Sequence, residues 1–296
     1  MVTGTGLDPE GEAEVRALVA TVAAGQDGDA PVDGHRRAAA AAGAPGTAVA
    51  TARDGDGRLL AYAQAVRTDR RWALDLAAAS GDAGAATSAL RAALGVVAAG
   101  GGGEAYLWVP HATDADRAAV EAAGLAWDRD LFQMRRPLPV EDEPFAVETR
   151  PFVPGRDEAA WVAVNNRAFA WHPEQSGWTV AEVAEREAEA WFDPAGFLLH
   201  ERDGRLAGFC WTKVHAKHDP PLGEIYVIAV DPDAGGRGLG RALTLAGLDH
   251  LAGRGLTVGM LYVDATNTPA VRLYERLGFT VHHVDRAFAA AVAAAS

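Results

Sequence analysis

At 296 residues the chain is long enough for two ordinary domains, and 49% hydrophobic with 23% charged residues is the balance of a globular protein with a large core. A formal net charge of −13 disfavours nonspecific binding to nucleic acid or to an anionic membrane, and a lone cysteine, Cys210, excludes an intrachain disulfide. No run approaches the ~20 apolar residues of a membrane span, and MVTGTGLDPEGEAEV carries no secretory pattern, so a cytoplasmic protein with no membrane partner is expected.

In chain order, Asp56–Val66 (DGRLLAYAQAV) predicts a turn followed by a strand. Leu74–Leu90 (LDLAAASGDAGAATSAL) predicts a strand that turns into a helix. Ala105–Thr113 (AYLWVPHAT) predicts a strand leading into a helix capped by Gly124. Arg136–Pro144 (RPLPVEDEP) combines prolines with acids and is the expected linker. It divides the chain into residues 1–137, a linker at 138–144, and residues 145–296.

The second half repeats the first. Asp203–Val214 (DGRLAGFCWTKV) is again a turn and a strand, with Cys210 as a packed core thiol. Ile225–Leu243 (IYVIAVDPDAGGRGLGRAL) is a strand, a glycine-rich turn and a helix start. Met260–Thr266 (MLYVDAT) matches AYLWVPHAT and leads into a helix capped by Gly278. Three matches in one order point to duplication. Each half reads helix, helix, hairpin-like strands, glycine turn, helix, strand, helix, strand, which is α/β.

A strand turning through Gly235, Gly236, Gly238 and Gly240 into a helix presents unpaired backbone N–H groups, a ready phosphate site. Downstream lies NTPAVRLYERLGF, Asn267–Phe279. The two motifs in this order resemble the GNAT acetyltransferase superfamily. That resemblance implies two tandem GNAT-like acyltransferase domains, each a mixed, mostly antiparallel sheet flanked by helices, with acetyl-CoA as co-substrate. It places the pyrophosphate on Gly235, Gly236, Arg237, Gly238, Leu239, Gly240 and Arg241, although Gly235 stands where the superfamily has Gln or Arg. It places the CoA arm on the backbone of Ile228, Ala229 and Val230, and on Asn267, Thr268, Pro269, Ala270, Val271 and Arg272. Glu224 is then the base that takes the amine proton. Tyr274 is the acid that protonates the departing thiolate, a role suited to a neutral phenol. No covalent enzyme intermediate is required, since positioning supplies much of the rate.

The acceptor is narrowed by NNRAFAWHPEQSGW, Asn165–Trp178. With GEIYVIAVDP, LYVDATNTPAV and the double repeat, it resembles the mycothiol synthase family. The implied acceptor is the cysteinyl amine of desacetylmycothiol, and the implied acceptor-binding residues are Asp33, Glu174, Lys213, Glu224 and Tyr262. A sugar and an inositol need many donors and acceptors, which Asn165, Asn166, His172, Glu174 and Gln175 offer. No metal is expected: His172 has no second ligand at metal spacing, and His215 with His218 near Asp219 is a thin zinc-like pattern. A monomer is expected. The rival readings are a GNAT enzyme for another small amine or a protein N-terminus, and a non-catalytic acyl-CoA sensor, which would need neither Glu224 nor Tyr274.

The first copy departs from the catalytic pattern. Leu74–Leu90 lacks the Arg-Gly-x-Gly core and sets Asp82 where phosphate would approach. The counterparts of Tyr274 and Glu224 fall at about Val120 and near Trp72. This half is expected to be a degenerate scaffold and one wall of the acceptor cleft.

Overall fold

The computed structural model describes residues 2–4, 6–68, 71–79, 81–140, 147–171, 175–234 and 238–295. The first half of the chain gives β1 (Val2–Gly4), α1 (Pro9–Ala24), α2 (Gly34–Ala41), β2 (Thr47–Arg53), β3 (Leu59–Arg67), β4 (Trp72–Ala78), α3 (Ala83–Ala99), β5 (Gly103–Val109), α4 (Asp114–Ala123) and β6 (Ala126–Pro137). The second gives β7 (Arg150–Pro151), α5 (Glu158–Ala168), α6 (Val180–Glu187), β8 (Phe197–Arg202), β9 (Arg205–His215), β10 (Leu222–Val230), α7 (Leu239–Gly253), β11 (Val258–Asp264), α8 (Thr268–Arg276) and β12 (Thr280–Val292). The order of strands and α-helices is the same twice over. Each half also opens on a short strand, β1 or β7, that the hydrophobic pattern did not disclose.

The compact units are not the contiguous halves 1–137 and 145–296. The first unit runs to Phe132 and then takes Asp264–Asn267 and His283–Ser296, while the second takes Gln133–Val263 and Thr268–His282. The reason is strand pairing: β12 lies antiparallel to β5, from Arg286 opposite Val109 to Val292 opposite Gly103. The start of the expected linker is also a packed part of the second unit. Leu138 is buried and its N–H donates to Thr257 O at 2.9 Å. Residues 141–144 lie outside the described residues.

In the first unit the strand order is β1-β2-β3-β4-β5-β12, and in the second β6-β11-β10-β9-β8-β7. In each, three consecutive antiparallel strands (β2, β3, β4 and β8, β9, β10) are followed by one parallel pairing, β4 with β5 and β10 with β11. This is the expected mixed, mostly antiparallel sheet. Helix ends follow the local sequence. Thr113 and Thr179 each close a capping box, with Asp116 and Glu182, at the starts of α4 and α6. Gly124 ends α4 at φ 106°, a left-handed conformation that a side chain would strain.

The two cores use different chemistry. In the first unit α3 brings Leu90 and Val97 down on Ala48, Ala50, Ala61, Ala63 and Ala65. Small strand residues let a helix lie close. In the second unit the core beneath α5 is aromatic: Phe197 stacks on Trp211 with ring centroids 4.3 Å apart, and Trp161 meets Trp211 edge-on at 5.7 Å. Each such side chain contributes about 1.5–3 kcal/mol on burial.

Candidate active site

The second unit presents the site through the splay of two parallel strands. Pairing of β10 with β11 runs from Leu222 opposite Val258 to Ile225 opposite Leu261 and stops there. Pairing of β10 with β9 continues to Val230 opposite Gly208, across an irregularity between Ile225 and Val227 that leaves Tyr226 out of register. Beyond Ile225, therefore, β10 faces β11 without a ladder, and the backbone of Ile228, Ala229 and Val230 lies along that stretch. An extra residue in one strand bends it and ends its pairing.

Helix α7 follows β10. Its N-cap is Gly238 at φ 92°, and Gly240 follows one residue into the helix, whose inner face buries Leu239, Leu243 and Leu248. The helix lies close to the sheet because Gly247 has no side chain: a Cβ there would sit 2.5 Å from Cys210 Sγ and 2.7 Å from Ile225 Cδ1. Cys210 is fully buried and burial pushes its thiol up, so it is an inert core group. Gly235, Gly236 and Arg237 lie outside the described residues, as do His172 and Glu174.

Glu224, third in β10, is 5% exposed. Its Oε2 lies 2.7 Å from His215 Nε2. An antiparallel pair sets directly opposed side chains on one face, and Lys213 is directly opposite Glu224. Lys213 Nζ sits 4.5 Å from the Trp191 ring centroid and 5.2 Å from that of Tyr226. It is held by cation–π attraction. Burial raises the Tyr226 phenol, and a hydrogen bond with Arg186 partly opposes this. One face thus gathers a buried carboxylate, an imidazole bound to it, and an ammonium in an aromatic cage.

Tyr274, on α8, is 7% exposed, and its ring meets Phe279 edge-on at 5.8 Å. Burial, with a smaller influence from Cys210, drives its phenol well above the ordinary range, so it keeps its proton. Tyr262, on β11, accepts a hydrogen bond from Gln133 Nε2 at 2.8 Å. Asn267 precedes α8, and Thr268 to Arg272 form its first turns.

Other expected residues have structural employment. Asp33 belongs to the first unit, where it caps α2 by accepting the Arg36 N–H at 2.8 Å. Asn165 donates to Gln175 O at 2.9 Å, and Asn166 exchanges bonds with the Trp178 backbone at 2.8 and 3.0 Å. These amides fasten the 175–178 loop to α5 rather than standing open to a sugar. Sequence reasoning missed His215 as a partner of Glu224, as well as the cage residues Trp191 and Tyr226. The sign was there in the spacing: with a turn at 216–221, the two strands bring His215 beside Glu224.

Among the described residues the first unit shows no counterpart of this apparatus. Trp72 pairs with Ala105 of β5 as Glu224 pairs with Met260 of β11, Ala105 and Met260 each being the third residue of its strand, so an indole stands where the second unit has its carboxylate. Val120 stands four residues before its capping glycine, as Tyr274 does before Gly278. Asp82, at the head of α3, makes no side-chain capping bond.

A doubled unit of this strand order, with a splayed parallel pair leading to a glycine-capped helix, defines the class: a tandem GNAT acetyltransferase fold. The Acetyltransferase (GNAT) family model matches residues 162–279. Among solved structures, a tandem GNAT protein from the clavulanic acid biosynthesis pathway superposes with a TM-score of 0.67 at 16% identity, covering 98% of this chain and 97% of that one. The mycothiol acetyltransferase of Nocardia farcinica is 44% identical over 96% of this chain and 95% of its own. That of Acidimicrobium ferrooxidans is 52% identical over 62% of this chain; the match spans only 61% of that relative's length. The chain belongs to the mycothiol acetyltransferase family.

Proposed function

We propose that the chain transfers the acetyl group of acetyl-CoA to the cysteinyl amine of desacetylmycothiol, giving mycothiol and CoA. The near full-length match to the Nocardia relative carries the acceptor. The Glu224–His215 contact at 2.7 Å beside the strand splay supports the chemistry.

The second unit is the catalytic domain in this reading. The CoA arm lies along Ile228–Val230, and its pyrophosphate rests at the α7 start, where Gly238–Arg241 and the helix dipole favour an anion, with Gly235, Gly236 and Arg237 assigned to it by the family motif. Asn267 to Arg272 line the arm. Glu224 accepts the amine proton. The amine nitrogen bonds to the thioester carbonyl carbon, the C–S bond breaks, and Tyr274 gives its hydroxyl proton to the leaving sulfur. Backbone N–H groups of the unladdered β10 segment stabilise the developing oxyanion. Lys213, Tyr262 and Glu174 contact the acceptor. Asp33 is an acceptor contact by the family resemblance alone, and its carboxylate already caps α2. The first unit is a non-catalytic copy, and the chain works as a monomer in the cytoplasm.

The test is to offer purified protein acetyl-CoA with desacetylmycothiol and a panel of other amines, and to follow CoA release. Release specific to desacetylmycothiol is expected. Equal or faster release with an aminoglycoside or a peptide N-terminus would reassign the acceptor, and acetyl-CoA binding without turnover on any amine would favour a sensor. Glu224→Gln is expected to lower kcat about 10²–10⁴-fold while acetyl-CoA binding persists.

A further inference from the structure

The first unit contains a histidine–carboxylate cluster that acetyl transfer does not use. Asp29 comes from the segment between α1 and α2, His111 from the turn after β5, and His283 from β12. One ligand atom from each lies within 4.8 Å of the others. His111 Nε2 is 3.0 Å from Asp29 Oδ2. The His111 and His283 rings stack with centroids 3.5 Å apart and planes at 26°. Asp285 stands behind them: it accepts the His111 backbone N–H at 3.0 Å, and its Oδ1 is 3.2 Å from His283 Nε2.

Two further features mark the place as built. His111 holds φ 50°, a left-handed conformation uncommon for a residue with a side chain. Its turn is pinned to β12 by that bond to Asp285 and by Ala112 N–H donating to Val284 O at 2.8 Å. Strained backbone persists where surroundings over-determine it, and such positions gather at functional sites. Burial is graded: side-chain exposure is 7% for His283, 17% for His111 and 23% for Asp29. The cluster is sheltered on one side and open on the other.

We propose that Asp29, His111 and His283 form a binding site for a zinc-like divalent transition metal, with water completing a four-coordinate shell. Two imidazoles and one carboxylate are a donor set that zinc takes, with metal–ligand bonds of about 2.0–2.2 Å. Ligand atoms around such an ion are roughly 3.3–3.5 Å apart by that geometry, so binding requires the side chains to close and the two stacked rings to turn until their in-plane lone pairs converge. The set is too rich in nitrogen for magnesium or calcium. Asp285 is the carboxylate that orients a metal-bound histidine from outside the coordination shell. The ion ties together three segments distant in the chain and stabilises the first unit, because it binds the folded state and not the unfolded one.

The full chain, stripped with a chelator and dialysed, is titrated with Zn²⁺ against a chromophoric competitor and with Co²⁺ by visible absorption, and its Tm is followed in parallel. One equivalent is expected, with the intense Co²⁺ bands of four-coordination and a rise in Tm that Mg²⁺ does not produce. Asp285→Asn should weaken binding about 10–100-fold, and His111→Gln with His283→Gln should abolish it. Asp29→Asn, isosteric and in a connecting segment, keeps the test open if the double variant folds poorly; it too should weaken binding while acetyl transfer stays at the wild-type rate. Wild-type protein that gives only weak six-coordinate Co²⁺ absorption, or binding unchanged in Asp29→Asn and the double variant, overturns the proposal.

Discussion

In the proposed mechanism the deciding side chain is Glu224, and what distinguishes it from a surface carboxylate is the imidazole 2.7 Å away. Buried acids are rarely left without a partner, and the contact with His215 orients this carboxylate, which the proposed reaction turns toward the amine. His215→Gln should therefore lower kcat and reshape the pH–rate profile while KM for acetyl-CoA stays put; an unchanged profile would show His215 to be packing only. Tyr274, the proton donor of the proposed mechanism, holds its proton at neutral pH as an ordinary phenol does, and burial pushes the phenol further up. Tyr274→Phe should reduce kcat by about 10²-fold with little loss of stability, measured by turnover beside urea unfolding. Glu224 and Tyr274 could be singled out as candidates because their motifs are contiguous. His215 was legible only as a stray histidine, because its meaning lies in a cross-strand neighbour.

Among the elements, α5 and α7 carry the most weight. The start of α5 is fixed by Asp157, whose carboxylate takes bonds from Arg150 at 2.6 and 3.0 Å and from the Val153 N–H at 2.8 Å. Burial alone would raise this carboxyl, but the Arg150 and Arg156 guanidinium groups and the Val153 amide hold it far below the usual range. A depressed folded-state value means the contribution is full above about pH 4, the unfolded value, and fades as pH falls toward the folded one. Wild-type stability should thus decline between roughly pH 5 and 2, and Asp157→Asn should flatten that slope while costing about 1–3 kcal/mol at neutral pH, read from urea unfolding across the range. In α7, Gly247→Ala adds a methyl where 2.5 Å separates it from Cys210 Sγ. Alanine's better helix propensity is worth at most about 1 kcal/mol, and overpacking costs about 1–3. The variant should lose stability, and KM for acetyl-CoA should rise as the helix start shifts. The helices and strands themselves were readable from caps and periodicity. The short β1 and β7 were not, since two or three residues hold no period.

For the whole molecule, the duplication was visible in the repeated turn-and-strand segments, whereas the true composition of the first unit was not. Motifs report on neighbours in sequence; the β5–β12 ladder joins residues 103–109 to 286–292. A break at the proline-rich stretch is therefore a break in the chain's composition and not in its packing. A fragment of residues 1–137 should show lost near-UV signal and exposed apolar surface, because β5 keeps an unpaired edge; restoring residues 283–296 as a peptide should recover order in proportion to its occupancy. The same arrangement sets an order of events during synthesis. The first unit emerges from the ribosome early, yet it cannot close until residue 292 has followed, so its β5 edge stays open while the entire second unit is being made. The first unit thus closes only after every residue of the second has been added to the chain.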